Sequence, residues 1–423
     1  MGTLIRHAGT WTIEDLMASP WHYLPVEVAP GTAALRVTLT HARDGGAVLD
    51  LGCLGPGGFR GWSGGARSSF VIALAGATPG YLPGEITAGR WQVVIGLHRV
   101  PAEGVTFEVT AELVRGAIPA GWLAGAVTAD GAVLSGEAGS AHPAVRVPAG
   151  RPARRALPAA SGRTWLAGDL HAHTVHSDGV MSVAELASLA VECGLDFVAV
   201  TDHNTVSHHA SLPGTSARYG VTLLPGQEVT TARGHAGVLG DTGWIDFREP
   251  ADSWLSAAER GGGLMSINHP FAGDVSWLHA MARRPPLLEV WHWSWLDLSW
   301  TTPLSWWQAW DPAAIPVGGS DWHRPGSDAP LGTPTTWVES ADRSAGAILD
   351  GLRAGRVAIS GTRDGPVLLR HDGSLVAVGA DGLLLAGPDG PYRRVSDDPA
   401  RLPGRPGYHR LITVGGTTLA LTP

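Results

Sequence analysis

The sequence predicts a multidomain protein of mixed class: an N-terminal β-sandwich, a central α/β domain of parallel, barrel-like strands, and a small β-rich C-terminal segment. Three observations carry this. Apolar and polar residues alternate in short stretches over the first third of the chain. From about Thr164, apolar runs of strand length alternate with helical patterns. Beyond Asp364, Asp-Gly turns punctuate short apolar runs. The chain has 423 residues, enough for two or three cores, but 58 glycines and 31 prolines favour short elements over long helices.

In the first region, ALRVTLT at 34–40 and TFEVTAEL at 106–113 carry the two-residue period of half-buried strands. GPGG at 55–58 and PGYLPG at 79–84 supply turns between such strands. This punctuation predicts a sandwich over residues 1–147. PAGRPARRALP at 148–158 has no periodicity, so residues 148–163 read as a linker. The glycine-rich RGWSGGAR at 60–67 fits neither a P-loop nor a dinucleotide fingerprint and reads as a sandwich loop.

The central domain, residues 164–362, opens with the buried strand Trp165-Leu166-Ala167. Ser182 and Glu185 form a capping box. Val183, Leu186, Ala187, Ala190 and Val191 then follow at helical spacing, and Gly194 ends the helix. FVAV at 197–200, VTLL at 221–224, LMSI at 264–267, LLEV at 287–290 and IPV at 315–317 are strand runs. Strands alternating with helices predict parallel pairing. In the C-terminal segment, residues 363–423, HDGS at 371–374, ADGL at 380–383 and PDGP at 388–391 predict hairpins, because such turns need positive φ.

Composition narrows the function. The balance of 30 basic and 38 acidic residues gives a net charge of −8, with no basic tail or stripe, which argues against a nucleic-acid footprint. All 30 basic residues are arginine, so Schiff-base and lysine general-base mechanisms are excluded. Cys53 and Cys193 lie in different predicted domains, which fits a reducing compartment. Neither a signal-peptide core nor an apolar run of transmembrane length is visible. The expectation is a cytoplasmic protein without a membrane partner, its oligomeric state open.

GDLHAHTVHSDG, at 168–179, crowds His171, His173, His176 and Asp178 into one turn-sized segment. Eleven of the 18 histidines lie between His171 and His323, and their placement follows the strand pattern. Asp169 to His173 follows the first strand, TDHN the second, GQE the third, and NHP and GGSDWH two later ones. In an array of parallel strands these clusters share the carboxyl-end face, where distant residues converge on one site. Imidazole with carboxylate suits zinc, manganese or iron, and the lack of cysteine among the clusters argues against a structural zinc finger.

HAHTVHSDG, TDHN, GQE, GHAGVLG, NHP and GGSDWH, in this order and spacing, resemble the PHP (polymerase and histidinol phosphatase) domain of metal-dependent hydrolases. Within that family they are most similar to the CehA/McbA-type metallohydrolase group, which includes a carbaryl hydrolase. The resemblance spans Thr164 to about Thr362 and implies a distorted (β/α)7 barrel. It also implies the ligands. His171, His173, Glu228 and Asp321 would hold a first ion, with Glu228 bridging. Asp178, His203 and His323 would hold a second, and His235 and His269 would complete a third with Glu228. Some relatives carry histidine where Asp178 stands; aspartate is still a hard oxygen ligand. With all nine positions filled, three divalent ions are expected rather than two.

Other residues carry open alternatives. His176 reads as a loop residue or a support for a ligand, and His208-His209 as a solvated loop. Asp202 either orients a ligand histidine or caps a helix. Trp291, Trp293, Trp295, Trp306 and Trp307 either wall an apolar pocket or fill space between elements. His292 is a candidate substrate contact or proton donor, and Arg324 a candidate cation for an anionic substrate.

The expected chemistry is hydrolysis, with a water shared by two ions acidified to a hydroxide nucleophile and the same ions polarising the group under attack. A small phosphoester is the leading substrate class. A carboxylic or carbamate ester is the alternative, favoured by the tryptophans and the absence of lysine. A non-catalytic metal- or carbohydrate-binding protein is a third reading, opposed by the filled ligand set.

Overall fold

The computed structural model of the chain describes residues 2–42, 44–134, 148–327 and 329–423. It is sheet-rich and mixed α/β, and it divides into two compact units. The first unit holds residues up to 134 with Val175–Gly179 and Asp202–Gly214; the second holds the rest from 148 onward. The expected sandwich boundary at residue 147 lies outside the described residues.

In the first unit the strands are β1 (Thr3–Trp11), β2 (Trp21–Val28), β3 (Thr32–His41), β4 (Val48–Gly55), β5 (Gly58–Gly64), β6 (Ser69–Ala73), β7 (Gly89–Arg99) and β8 (Val105–Arg115). They form two antiparallel four-stranded sheets, β1-β8-β3-β6 and β2-β7-β4-β5. The register pairs Leu35 with Leu113, Val37 with Ala111 and Leu39 with Val109, so the alternating apolar positions of β3 and β8 share one face. That face joins Leu51, Trp91, Val93 and Ile95 of the other sheet in one buried core, where Phe70 stacks on Tyr81 at 4.0 Å. Part of RGWSGGAR is strand, not loop. Gly61 carries a φ of 152° and runs so close to Tyr81 that a Cβ would stand 2.3 Å from its ring, a packing open only to glycine.

The second unit is built on β9 (Thr164–Ala172), β10 (Phe197–Val200), β11 (Thr222–Thr231), β12 (Gly234–Leu239), β13 (Leu264–Asn268), β14 (Leu287–Trp291) and β15 (Ile315–Gly318), adjacent in that order. The predicted helix forms at Val183–Glu192, capped by Ser182 and Glu185, and Gly194 follows it at φ 73°. Pairing is parallel except around β12, which is antiparallel to both neighbours. Parallel pairing was the expectation throughout. The two-residue link Ala232-Arg233 between β11 and β12 is too short for a crossover, so GHAGVLG folds back as a hairpin. Beyond β15, Trp322 accepts from His173 N (2.9 Å) and bridges Ala172, so the run returns to its first strand. Leu166, Leu170, Phe197, Ala199, Leu224, Leu264, Leu287 and Val317 share its apolar core.

The other edge of β9 pairs antiparallel with β16 (Thr335–Ser340), followed by β17 (Val357–Ser360). The C-terminal strands are β18 (Val367–His371), β19 (Ser374–Val378), β20 (Leu384–Gly387), β21 (Gly390–Arg394), β22 (Ala400–Leu402), β23 (His409–Ile412) and β24 (Thr418–Thr422). The large sheet continues in the order β17-β24-β23-β20-β21, while β18, β19 and β22 form a separate sheet. Asp372 and Gly373, at φ 48° and 72°, make the expected tight hairpin, and PDGP links the paired β20 and β21. ADGL does not make a hairpin: it connects β19 to β20, which lie in different sheets.

Residues 148–163, expected as a linker, lie along the second unit as an extended strap. Arg151 Nη2 and Arg154 Nε donate to Asp196 Oδ1 at 3.1 and 2.8 Å, Arg155 Nη1 donates to Arg363 O at 3.0 Å, and Ala160 N donates to Glu339 Oε1 at 2.7 Å. Asp196, 2 % exposed, also accepts from Ala167 N of β9 at 3.1 Å. Removing this buried acceptor strands several donors. Asp196→Ala is expected to cost about 2–3 kcal/mol in denaturant unfolding, and Arg154→Ala, with its side chain largely solvated, less than about 1 kcal/mol. Equal costs would show that the strap is held by something other than this carboxylate.

Candidate metal centre

The site grows from the carboxyl end of β9. His171 and His173 are two residues apart at an extended strand end, so their rings turn to the same side. Glu228 lies inside β11 rather than after a strand. The β11–β12 register sets Thr230 opposite His235, and the β12–β13 register sets His235 opposite Asn268, next to His269. Gly237 leaves the space Asn268 needs, since a Cβ there would meet Asn268 Oδ1 at 2.9 Å. Asp321 follows β15. Asp321 at φ 53° and His269 at φ 27° are left-handed, a conformation rare for such residues and found where a site dictates side-chain direction.

Glu228 is the centre of the group. His171 Nε2 lies 3.0 Å from Glu228 Oε1 and 3.1 Å from Asp321 Oδ1; His173 Nε2 lies 3.0 Å from Asp321 Oδ1 and 3.5 Å from Glu228 Oε2. His269 Nε2 and His235 Nδ1 approach Glu228 Oε1 at 3.2 and 3.4 Å, and Asn268 Nδ2 donates to the same oxygen at 2.9 Å. One ligand atom from each of His171, His173, Glu228 and Asp321 lies within 4.8 Å of the others, and His171, His269, Glu289 and His292 form a second such group.

This donor set fits a divalent cation. His171 Nδ1 faces Glu289 Oε1 at 3.0 Å, an outer carboxylate that fixes the ring and leaves Nε2 for a ligand. That Nε2 is buried, makes no well-formed hydrogen bond, and stands between two carboxylate oxygens. Buried carboxylates need positive charge nearby, and the partners described are imidazoles and an amide.

The electrostatics say the same. Burial alone would lower the His171 pKa, but Glu228, Asp321 and Glu289 hold it well above the usual imidazole value. Burial would raise Asp321, yet His171, His173 and His292 hold its carboxyl well below the carboxylate range. Glu289 is likewise held low, burial being outweighed by His171 and His292. At His292 burial prevails over Glu289 and Asp321, and the pKa falls.

The support is as ordered as the cluster itself. Asp169, buried on β9, accepts from His171 N (3.1 Å), Ser320 N (3.0 Å), Ser320 Oγ and Gly332 N (2.7 Å), tying the first strand to the turn that carries Asp321. Gly319 passes against the His171–Glu289 pair; a Cβ would stand 2.4 Å from Glu289 Oε1 and 2.5 Å from His171 Cβ.

The remaining sequence candidates fall as follows. His323 stacks on His173 at 4.2 Å and donates from Nδ1 to Asp321 O at 2.7 Å. Asp178 and His203 belong to the first unit and pair there, Nε2 to Oδ1, at 3.6 Å. His292 is buried beside Asp321, Nε2 to Oδ2 at 3.3 Å. Arg324 is exposed on the following turn, where its backbone N donates to Ser327 Oγ at 3.1 Å. His176 is buried against Ser207 Oγ at 2.7 Å, and burial lowers its pKa to about 4. His208 is not solvated: it is buried with Nδ1 3.2 Å from Asp202 Oδ2, because the loop turns inward around that carboxylate. Trp291, Trp295 and Trp307 are buried packing, the Trp307 indole donating to Ala314 O, whereas Trp293 is 38 % exposed and its ring lies 5.2 Å from His292. GWSGG at 61–65 matches the G-x-S-x-G pattern of serine hydrolases, but Ser63 is buried in β5 against Tyr81 Oη (3.0 Å), not on a strand-to-helix elbow.

Glu289, Asn268 and Asp169 had no assigned role in the sequence. Glu289 left a signal, a carboxylate inside the apolar strand LLEVW; Asn268 and Asp169 stand beside the candidate ligands His269 and His171 in the motifs NHP and DLHAH.

With this geometry in place, residues 169–268 match the family model described as the PHP domain. The chain carries a PHP domain. Over 63 residues it is 35 % identical to the 5'-3' exoribonuclease of Haemophilus influenzae, and over 65 residues 38 % identical to the 5'-3' exoribonuclease Rnm of Escherichia coli. Each match covers 15 % of the chain and 23 % and 22 % of those proteins, so the chain spans less than a quarter of the length of these curated relatives. Among solved structures, a two-domain protein from Bacteroides vulgatus containing a predicted PHP-like metal-dependent phosphoesterase superposes with a TM-score of 0.44 at 17 % identity, covering 65 % of this chain and 99 % of that one.

Two substitutions test the outer support of the PHP site. Glu289→Gln keeps shape but loses charge and should weaken metal binding about 10- to 100-fold in chelator competition. Gly319→Ala, which drives a methyl between His171 and Glu289, should weaken it at least as much; wild-type affinity in both would remove Glu289 from the site.

Proposed function

We propose that this chain is a metal-dependent hydrolase whose leading substrate class is a small phosphoester. The observation that carries the reading is the convergence of His171, His173, Glu228 and Asp321, with Glu228 also reached by His235 and His269. In this reading the first four hold one ion and His235, His269 and Glu228 another. Asp178, His203 and His323 are retained as ligands on the sequence resemblance. Zinc, manganese and iron all suit the donors, and the filled positions favour three ions over two. The run β9–β15 returning to β9 supports a distorted (β/α)7 barrel over 164–362. Two sheets around one core support a β-sandwich in the 1–147 segment, with 148–163 as its connection and 363–423 as a β-rich extension. A CehA/McbA-type relationship and a cytoplasmic location belong to the same proposal. Among the described residues, no helix is long and apolar enough to cross a membrane.

When bound, the ions supply an activated water and offset charge on the group under attack. The chain's own residues set the geometry. Glu289 orients His171, Asn268 fixes one Glu228 oxygen, and Asp169 holds β9 against the Asp321 turn. Ser294 N donates to His292 Nδ1 at 3.2 Å, which leaves the proton of the neutral ring on Nε2, facing Asp321. In this reading His292 takes up a second proton when substrate is bound and passes one to the leaving group, returning to the neutral ring, and exposed Arg324 meets an anionic substrate.

Trp293, half-exposed beside His292, favours a second reading in which an aryl carboxylic or carbamate ester rests on its ring. A matched panel separates the two: p-nitrophenyl phosphate, a p-nitrophenyl phosphodiester, p-nitrophenyl acetate and an aryl methylcarbamate, with zinc- or manganese-loaded protein. Turnover of phosphoesters alone is expected. Cleavage confined to the neutral esters would move the assignment to the second reading, and no turnover would leave a binding protein. His171→Ala and Asp321→Asn should abolish activity with the fold retained.

His292→Gln should lower kcat about 100-fold or more on phenyl phosphate, whose leaving group needs a proton, and much less on p-nitrophenyl phosphate. Equal losses on both would make His292 structural. Arg324→Ala should raise KM for the phosphoesters and leave that for acetate unchanged; parallel changes would free Arg324 of a binding role.

A further inference from the structure

The two segments that carry Asp178 and His203 fold within the first unit, and two residues of its strand module hold them. Arg67 lies between β5 and β6, in the glycine-rich stretch that fits no phosphate motif. Its Nη1 donates to Ser177 O at 2.8 Å and its Nη2 to Val175 O. A rigid guanidinium fork therefore grips two carbonyls of one turn, and that of Ser177 belongs to the peptide that leads directly into Asp178.

The second hold is Gly80. Its N donates to Ser207 Oγ at 3.1 Å, and its carbonyl accepts from Thr205 Oγ1 at 2.9 Å, two residues beyond His203. Gly80 sits at φ 99°, and a Cβ there would stand 2.6 Å from Trp62 O and 2.9 Å from His176 O, so the contact needs glycine. The gripped segments are also tied to each other: Ser177 Oγ donates to Asp202 Oδ1 at 2.6 Å, and His176 Nδ1 meets Ser207 Oγ at 2.7 Å. Asp202, adjacent to His203, completes the tie by pairing with His208 at 3.2 Å.

We propose that Arg67 and Gly80 are positioning residues, through which the N-terminal strand module sets Asp178 and His203 for the metal they hold. The module is then a working part of the site that Asp178 and His203 form rather than a separable carbohydrate or partner module. This rests on the reading of Asp178 and His203 as metal ligands. Because Arg67 places two donors on backbone carbonyls, it acts on the place of a neighbouring carboxylate and imidazole.

The test uses the full chain, stripped with chelator and reloaded with zinc, read by metal-to-protein ratio and by competition with a chromophoric chelator. Asp178→Ala and His203→Ala should each lose one equivalent of zinc. Arg67→Ala and Ser207→Ala should weaken that same equivalent at least tenfold while leaving the other bound zinc unchanged. Arg67→Lys, an ammonium able to serve only one carbonyl well, should fall between. The melting temperature of the metal-free proteins should stay within a few degrees of wild type, which separates positioning from unfolding. If Arg67→Ala does not fold, Ser207→Ala and Arg67→Lys decide by the same criterion. Wild-type zinc binding in the Arg67 and Ser207 variants, with loss in Asp178→Ala, would overturn the positioning role alone. Unchanged zinc in Asp178→Ala and His203→Ala would overturn the ligand reading and this proposal with it.

Discussion

A fully buried carboxylate, Glu228, imposes the constraint around which the second unit is arranged. An ionised carboxylate removed from water is costly unless charge or hydrogen-bond donors surround it. Here His171, His173, His235 and His269 approach it within 3.5 Å, and Asn268 donates to it. Those five come from β9, β12 and β13 or the residues just past them. The order and register of these strands are therefore tied to satisfying one side chain. Asp321 adds a second negative group to the same cavity, and Glu289 a third behind His171, so the cluster calls for cations as much as for hydrogen bonds. That is why the arrangement reads as a metal centre rather than as a polar core.

Much of this was legible in the sequence, for physical reasons that differ by element. The helix at Val183–Glu192 announced itself because its capping box and apolar spacing are local. That His171, His173, His269 and Asp321 would converge was legible because a strand end must expose its last residues to a shared face, and that leaves polar clusters directly after apolar runs. The hairpin that carries Glu228 and His235 was not legible as one. Its two strands are apolar enough to pass for parallel ones, and only the shortness of Ala232-Arg233 betrays the reversal. Glu289 was hidden because its function depends on His171, more than a hundred residues away. His208 looked solvated because nothing in SHHA marks the inward turn that Asp202 imposes. Of the tryptophans, burial separates Trp291, Trp295 and Trp307 from Trp293, a distinction that composition cannot make.

The all-arginine composition, first useful for excluding lysine chemistry, has a structural counterpart. Arg67 grips two carbonyls of one turn, Arg155 donates to the carbonyl of Arg363, and Arg363 Nε donates to that of Gly194. Arg151 and Arg154 converge on Asp196. In each case a planar fork fastens an irregular segment that has no ladder of its own. An ammonium offers no such fixed geometry. Segments that lack periodicity in the sequence are thus held by residues that look like ordinary surface charges.

One feature of the large sheet bears on how the protein is made. β24, Thr418–Thr422, is not an edge strand; it lies between β17 and β23. During synthesis β17 emerges some sixty residues earlier and must wait with one flank unpaired. Strands β9 to β15 can assemble in that interval, but the sheet they belong to cannot close until the ribosome has released residues 418–422. A nascent chain stalled or cut before them presents a ready template for a second such chain, so the hazard of misassembly falls in the interval between the synthesis of β17 and that of β24.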